Sequence, residues 1–274
     1  MTWVLDLDGV VWLASRPIPG AAEGVAELRE RGKQVLFVTN NSSRLVDDYR
    51  DQLAQMGIPT APNEVLTSAQ AAASMLEPGS TALVCGGPGV DEALAIRGVK
   101  TVTEGPADTV VVGWHRNFDY ARLAAATSAV LGGARLVGTN DDATYPTGDG
   151  PIPGAGSILA AVAYASGTTP EVAGKPHDPV VALIAATVSD VEVLVGDRPD
   201  TDGLLARRLG VPFGLVLTGV TKLGHGQVDP APDVEAPDLR TLVAEWERRT
   251  LRLISSAPPD SVARSATSAP PRKT

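Results

Sequence analysis

Cysteine is all but missing: Cys85 is the single one in 274 residues. One cysteine excludes an internal disulfide framework and fits a reducing compartment. It sits in the apolar run Ala82–Cys85, which reads as an inert core thiol rather than a nucleophile. Basic charge is also short. With 23 Lys and Arg against 32 Asp and Glu the net charge is −9, so nucleic acid and anionic membrane surfaces are not expected partners. The three histidines, His115, His177 and His225, show no metal-ligand spacing, which argues against zinc. No apolar stretch is long enough to span a membrane, and Asp6 and Asp8 fall where the apolar centre of a targeting peptide would lie. No internal repeat is present. The expectation is a soluble, cytoplasmic protein with room for about two domains.

What is present is a series of apolar runs, each ending in a polar cluster. Trp3-Val4-Leu5 reads as a short buried strand. Asp6 and Asp8 belong at its carboxyl end, because burying unpartnered charge inside a strand costs several kcal/mol, and Gly9 permits a turn there. A helix through Ala22, Val25 and Leu28 ends at Gly32. Val35–Val38 is a second strand, ending in Thr39-Asn40-Asn41-Ser42-Ser43. Its helix carries Val46, Tyr49, Leu53 and Met56 on one face. A third strand at Glu64–Thr67 precedes an alanine-rich helix to about Leu76. This alternation predicts a parallel sheet with crossover helices.

Pro78-Gly79-Ser80 marks a boundary, after which a second α/β series begins. Strands are expected at 81–85, 109–112 and 136–137, and helices at about 90–96, 120–131 and 154–165. Residues 80–168 have the size of a small domain inserted into a larger one. The first style then resumes. Gly174-Lys175-Pro176 leads into a helix from about Asp178, and the strand Val191–Val195 ends in Gly196-Asp197-Arg198-Pro199-Asp200-Thr201-Asp202. A helix with Leu204, Leu205 and Leu209, a strand over Phe213–Leu217 and a final helix from about Asp238 complete the pattern. That last helix places Leu239, Leu242, Val243, Trp246 and Leu253 on one face. Residues 255–274 are Ser, Ala, Pro and charge without periodicity, so a disordered tail is expected.

Four apolar approaches thus end in groups a phosphoryl site needs: Asp6 with Asp8, Thr39-Asn40-Asn41, Lys175, and Asp197 with Asp202. A parallel sheet brings the carboxyl ends of its strands to one rim, where open α/β sheets bind ligands. Singly, each has a plainer reading. Thr39–Ser43 could cap a helix, Lys175 could be a loop lysine, and Asp197 and Asp202 could cap a helix opening near Thr201. Jointly, DLDGV at 6–10, VTNN at 38–41, GKP at 174–176 and GDRPDTD at 196–202 resemble the motifs of the haloacid dehalogenase superfamily. Order and spacing resemble most the subfamily IIA of p-nitrophenyl, phosphoglycolate, glycerol-3-phosphate, pyridoxal and N-acetylglucosamine-phosphate phosphatases. The resemblance covers roughly residues 2–250.

The resemblance implies an α/β fold with a Rossmann-like parallel-sheet core, discontinuous over 1–79 and 169–254, and a large α/β cap at 80–168. It also implies a Mg²⁺-dependent phosphatase for a small phosphorylated metabolite. Asp6 would be the nucleophile, already ionised at neutral pH and needing no base. Asp8 would be the general acid and then the base, a task that wants a pKa raised toward neutrality. Mg²⁺ would be held by Asp6, the carbonyl of Asp8 and Asp197, with Asp202 supporting its water or Lys175. Lys175 would hold Asp6 and the phosphate together. Thr39 and the amides near Asn40 and Asn41 would bind phosphate oxygens at a helix N-terminus.

In the inserted segment, Gly138–Pro146 resembles the family loop that overhangs the active site. Asn140, Asp142 and Tyr145 are expected to face substrate, or else to form a polar turn with a packed tyrosine; some relatives carry a histidine at the tyrosine's place. Gly86-Gly87-Pro88-Gly89 lacks the lysine of a P-loop and reads as a turn into a helix. His177 reads as a loop histidine. Caps in this family often dimerise, so a homodimer through the cap is one option. Two other functions share the motif chemistry: a receiver-type phospho-aspartate protein, and a phosphotransferase. Glycerol phosphate, phosphoglycolate, sugar phosphates and nucleoside monophosphates all stay open as substrates, because cap shape rather than the motifs selects among them.

Overall fold

The run Thr2–Leu5 forms β1, and all four of its residues are buried, because helices cover both faces of the sheet it centres. The computed structural model describes residues 1–147 and 149–256, the last four by backbone alone. After β1 come a hairpin of β2 (Trp12–Leu13) and β3 (Arg16–Pro17), then α1 (Ala21–Glu30), β4 (Gln34–Thr39), α2 (Val46–Gln55), β5 (Val65–Thr67) and α3 (Ser68–Ser74). Next are β6 (Thr81–Cys85), α4 (Pro88–Arg97), β7 (Lys100–Val102), β8 (Thr109–Val112), α5 (Tyr120–Leu131) and β9 (Arg135–Gly138). β10 (Thr144–Thr147), β11 (Gly150–Pro153), α6 (Ala155–Ser166) and β12 (Glu171–Val172) follow. The remaining elements are α7 (Asp178–Thr187), β13 (Val191–Gly196), α8 (Leu204–Leu209), β14 (Phe213–Val216), β15 (Val234–Ala236) and α9 (Leu239–Ser256).

These strands build two parallel sheets. One has six strands in the order β15-β14-β13-β1-β4-β5; the other has five in the order β12-β9-β8-β6-β7. Side chains alternate across β1, so Trp3 and Leu5 pack with α1, α2 and α9 while Val4 faces the opposite layer. That opposite layer continues into the second sheet. Ala71, Ala72 and Leu76 share one apolar cluster with Val90, Leu94, Val111 and Val137, so the two sheets are joined by common packing. The far face of the second sheet packs on α5 and α6 and buries Cys85, whose thiol is pushed up to about 11 by that burial. No helix among the described residues is long and apolar enough to cross a membrane.

Several expectations need correction or extension. Thr39–Asn41 does not stand at a helix N-terminus, since α2 starts only at Val46. The loop is instead an Asx turn: Asn41 Oδ1 accepts from the Ser43 backbone N–H at 3.1 Å and from its hydroxyl at 2.7 Å. The helix after Asp197 opens with a π-helical turn at Pro199–Gly203, and α8 begins three residues later than Thr201. The hairpin β2–β3 is invisible in the sequence, because its turn uses Ala14 and Ser15 at φ 49° and 65° where Asn-Gly is the usual signal. Prolines at 146, 151 and 153 similarly hide β10–β11. The final helix runs to Ser256, past the expected start of the tail; residues 257–274 and the side chain of Leu253 lie outside those described.

Candidate active site

β1 lies between β4 on one side and β13 on the other, so the chain departs in opposite directions from its carboxyl end. Such a switch point leaves a crevice with no connection crossing it. Asp6, Thr39 and Asp197 stand at the ends of these three strands, and all are buried. Lys175 arrives from the β12–α7 loop. Its Nζ lies 2.7 Å from Asp6 Oδ1 and 2.7 Å from Asp202 Oδ1. Burial works against its charge, yet Asp202 and Asp6 hold its pKa above the ordinary lysine value. Asp202 also accepts the Arg198 backbone N–H on Oδ2 at 3.1 Å, so both its oxygens are committed.

One carboxylate oxygen each from Asp6, Asp197 and Asp202 lies within 4.8 Å of the others. Asp197 is wedged in place. A Cβ on Gly9 would lie 2.4 Å from its Cγ, and one on Gly219 would lie 1.8 Å from its Oδ2. Oδ2 accepts the Val220 backbone N–H, while Oδ1 is buried without a hydrogen-bond partner. Burial and the neighbouring Asp202 push the Asp197 carboxyl up to about 7; burial likewise raises Asp6 well above the carboxylate range. A clustered set of hard oxygen donors, one of them orphaned, fits a divalent cation, whose charge would relieve both shifts.

Asp8 is pushed up to about 6, chiefly by burial, and the Trp12 hydrogen bond offsets part of that. Trp12 Nε1 donates to Asp8 Oδ1 at 3.1 Å, and the Tyr145 hydroxyl donates to the same oxygen at 3.5 Å. Oδ2 is thereby left for the proton. The second sheet's loops roof this group. Trp114 stacks on Tyr145 with ring centroids 4.9 Å apart, and Asn41 Nδ2 donates to the Tyr145 hydroxyl at 3.4 Å. Asn40 ties the roof to the floor. Its Nδ2 donates to Asp142 Oδ2 at 2.8 Å, its Oδ1 accepts the Lys175 backbone N–H at 2.7 Å, and its carbonyl accepts from Asn140 Nδ2 at 2.6 Å.

Ten of the eleven residues expected at the site border one pocket; Asp202 stands behind Lys175, fully buried. Asn140 borders it too, but its amide is committed to the Asn40 carbonyl and to the Asp142 backbone N–H. The pocket is a small cleft that opens to solvent, with a cavity volume of about 70 Å³. Leu13, Trp114, Arg198 and Val220 also line it and were not singled out from the sequence. Leu13 comes with the unseen hairpin, and Trp114 follows Gly113, where a Cβ would lie 2.7 Å from Ser42 Oγ, so backbone closeness places it. Gly86–Gly89 forms the turn into α4 and packs against residues 42–44. His177 bridges the two parts of the chain, with Nε2 3.0 Å from Asp141.

A model of the haloacid dehalogenase-like hydrolases matches residues 3–100, and a HAD-hydrolase-like model matches residues 172–242. The acid sugar phosphatase of Staphylococcus haemolyticus is 35% identical over 255 residues, covering 90% of this chain and 96% of that one. The chain belongs to the haloacid dehalogenase-like hydrolases. Among solved members, the p-nitrophenyl phosphatase from Archaeoglobus fulgidus superposes with a TM-score of 0.81 at 31% identity, over 89% of this chain and 98% of that one. The glycerol phosphate phosphatase of Mycobacterium tuberculosis, solved with magnesium, gives 0.80 at 34% identity, over 88% of this chain and 75% of that one. The same enzyme has been solved with calcium. The two matched segments of this haloacid dehalogenase-like hydrolase include Asp6, Thr39, Lys175, Asp197 and Asp202.

Proposed function

We propose that this protein hydrolyses small phosphomonoesters through an aspartyl-phosphate on Asp6, with Mg²⁺ held by Asp6, Asp197 and the Asp8 carbonyl. The observation that carries the reading is the meeting of Asp6, Asp197 and Asp202 around Lys175, with Asp197 Oδ1 buried and unpartnered. Residues 1–79 and 169–254 would be the catalytic core and 80–168 the cap. Mg²⁺, when bound, supplies the countercharge that lets a phosphate dianion approach a carboxylate.

The protein's own groups do the rest. A carboxylate oxygen of Asp6 attacks phosphorus, the bond from phosphorus to the ester oxygen breaks, and the departing alcohol takes the proton of Asp8. Asp8, now ionised, then removes a proton from water as the water attacks the aspartyl-phosphate, which releases inorganic phosphate and restores Asp6. A carboxyl pushed up to about 6 is suited to both directions of transfer near neutral pH. Lys175 keeps Asp6 aimed, and the Thr39 hydroxyl, whose oxygen accepts the Asn41 backbone N–H at 3.1 Å, keeps its own proton for a phosphate oxygen. In the test, Asp6→Asn retains the wild-type circular dichroism and loses turnover of p-nitrophenyl phosphate by about 10³-fold or more. Undiminished turnover would end the proposal.

A further inference from the structure

Four carboxylates and two cations border the pocket: Asp6, Asp8, Asp142 and Asp197 against Lys175 and Arg198. Both cations are already paired. Lys175 lies 2.7 Å from Asp6 and from Asp202. Arg198 donates from Nε and Nη2 to the two oxygens of Asp200, at 3.3 and 3.0 Å, and its Nη1 lies 3.4 Å from Asp142 Oδ1. Two further cations stand nearby and do not line the pocket. Arg44 is bonded to Gln52 and to the Asp48 carbonyl, and Arg116 lies over the Trp114 ring, 5.7 Å from its centroid.

The side of the pocket left for the alcohol portion of an ester is therefore apolar, aromatic and acidic. Trp114 and Tyr145 present stacked faces, Leu13 and Pro146 extend them, and Asp142 supplies acceptor oxygens. A carboxylate or second phosphate on the leaving group would meet Asp142 with no unpaired cation lining the pocket, or would have to take Arg198 from Asp142. A leaving group of C–H faces and hydroxyls meets neither cost, because aromatic faces accept the former and a carboxylate accepts hydrogen bonds from the latter. We infer that the site selects phosphomonoesters of neutral polyhydroxy alcohols, polyols or sugars, and rejects esters whose leaving group carries a second anion. Asp142 is the discriminating residue, by holding Arg198 away from the substrate.

This inference rests on the phosphatase reading, and its test separates the two. Glycerol 3-phosphate and 3-phosphoglycerate differ at one terminal carbon, hydroxymethyl against carboxylate. The wild-type protein with Mg²⁺ should favour the former in kcat/KM by about tenfold or more. Asp142→Asn, which frees one edge of Arg198, should narrow that ratio at least several-fold, a reading in which any loss of turnover common to both esters cancels. Equal or reversed preference in the wild type, with p-nitrophenyl phosphate hydrolysed, would overturn the inference and leave the phosphatase reading standing. So would an unchanged ratio in Asp142→Asn. Failure on all three esters would overturn both.

Discussion

Replacing Lys175 by methionine keeps most of the side-chain volume and removes one buried charge. Lys175 Nζ lies 2.7 Å from each of two carboxylates, and its side chain is only 4% exposed. At an effective dielectric constant of about 20, each contact is worth roughly 6 kcal/mol of gross attraction. Most of that is offset by the desolvation of three buried ions, which is why such a cluster adds little net stability when intact. Removing one partner is different. Asp6 and Asp202 would be left buried and facing each other, at a cost of about 3–5 kcal/mol. At roughly 2–4 °C per kcal/mol for a chain of this size, the thermal midpoint should fall by about 6–20 °C. The assay is thermal unfolding followed by circular dichroism in EDTA at pH 8. Repeating it at pH 5 should shrink the deficit, because the raised pKa of Asp6 lets a stranded carboxyl take up a proton. Added Mg²⁺ should shrink it too, by supplying positive charge beside Asp6. A midpoint within about 2 °C of wild type at pH 8 in EDTA would refute the reasoning.

Gly219→Ala places a methyl 1.8 Å from Asp197 Oδ2, so that carboxylate must move. Mg²⁺ affinity measured by calorimetry should fall by about tenfold or more, whereas Gly226→Ala, with nothing within 4 Å, should leave it unchanged. Metal affinity should also rise with pH through about 7, as the Asp197 proton is lost. The same group sets a sign for stability. Its folded pKa lies above the ordinary value, so the metal-free fold binds the extra proton between about 4 and 7 and loses stability as pH rises through that window; thermal midpoints in EDTA check this. Trp12→Phe removes the indole donor to Asp8 Oδ1 and leaves the stacking on Tyr49 available. Alkyl phosphates, whose poor leaving groups need the acid, should lose about tenfold more in kcat than p-nitrophenyl phosphate; equal losses would count against that role.

The strand ends were legible in the sequence because apolar runs stopping at Asp6, Thr39 and Asp197 allow few other arrangements: charge cannot remain in a strand covered on both faces. That period and those breaks also announced two α/β series. The roof of the site was far less legible. Trp12 and Tyr145 reach Asp8 on hairpins whose turn and strand signals are masked by Ala14-Ser15 and by prolines. Nothing in the segment around Arg198 shows that Asp142, from a distant loop, pairs with it alongside Asp200.

By itself, then, the order of residues determined which groups share a rim, since sheet direction and strand termini follow from local pattern. Which oxygen of each acid is free, which cation is already paired, and how the second sheet closes over the first depended largely on contacts between separate segments, such as Lys175 with Asp202 and Asn40 with Asn140 and Lys175. Those contacts have no local signature, because they are decided by backbone approach and hydrogen-bond geometry that exist only once both sheets are packed.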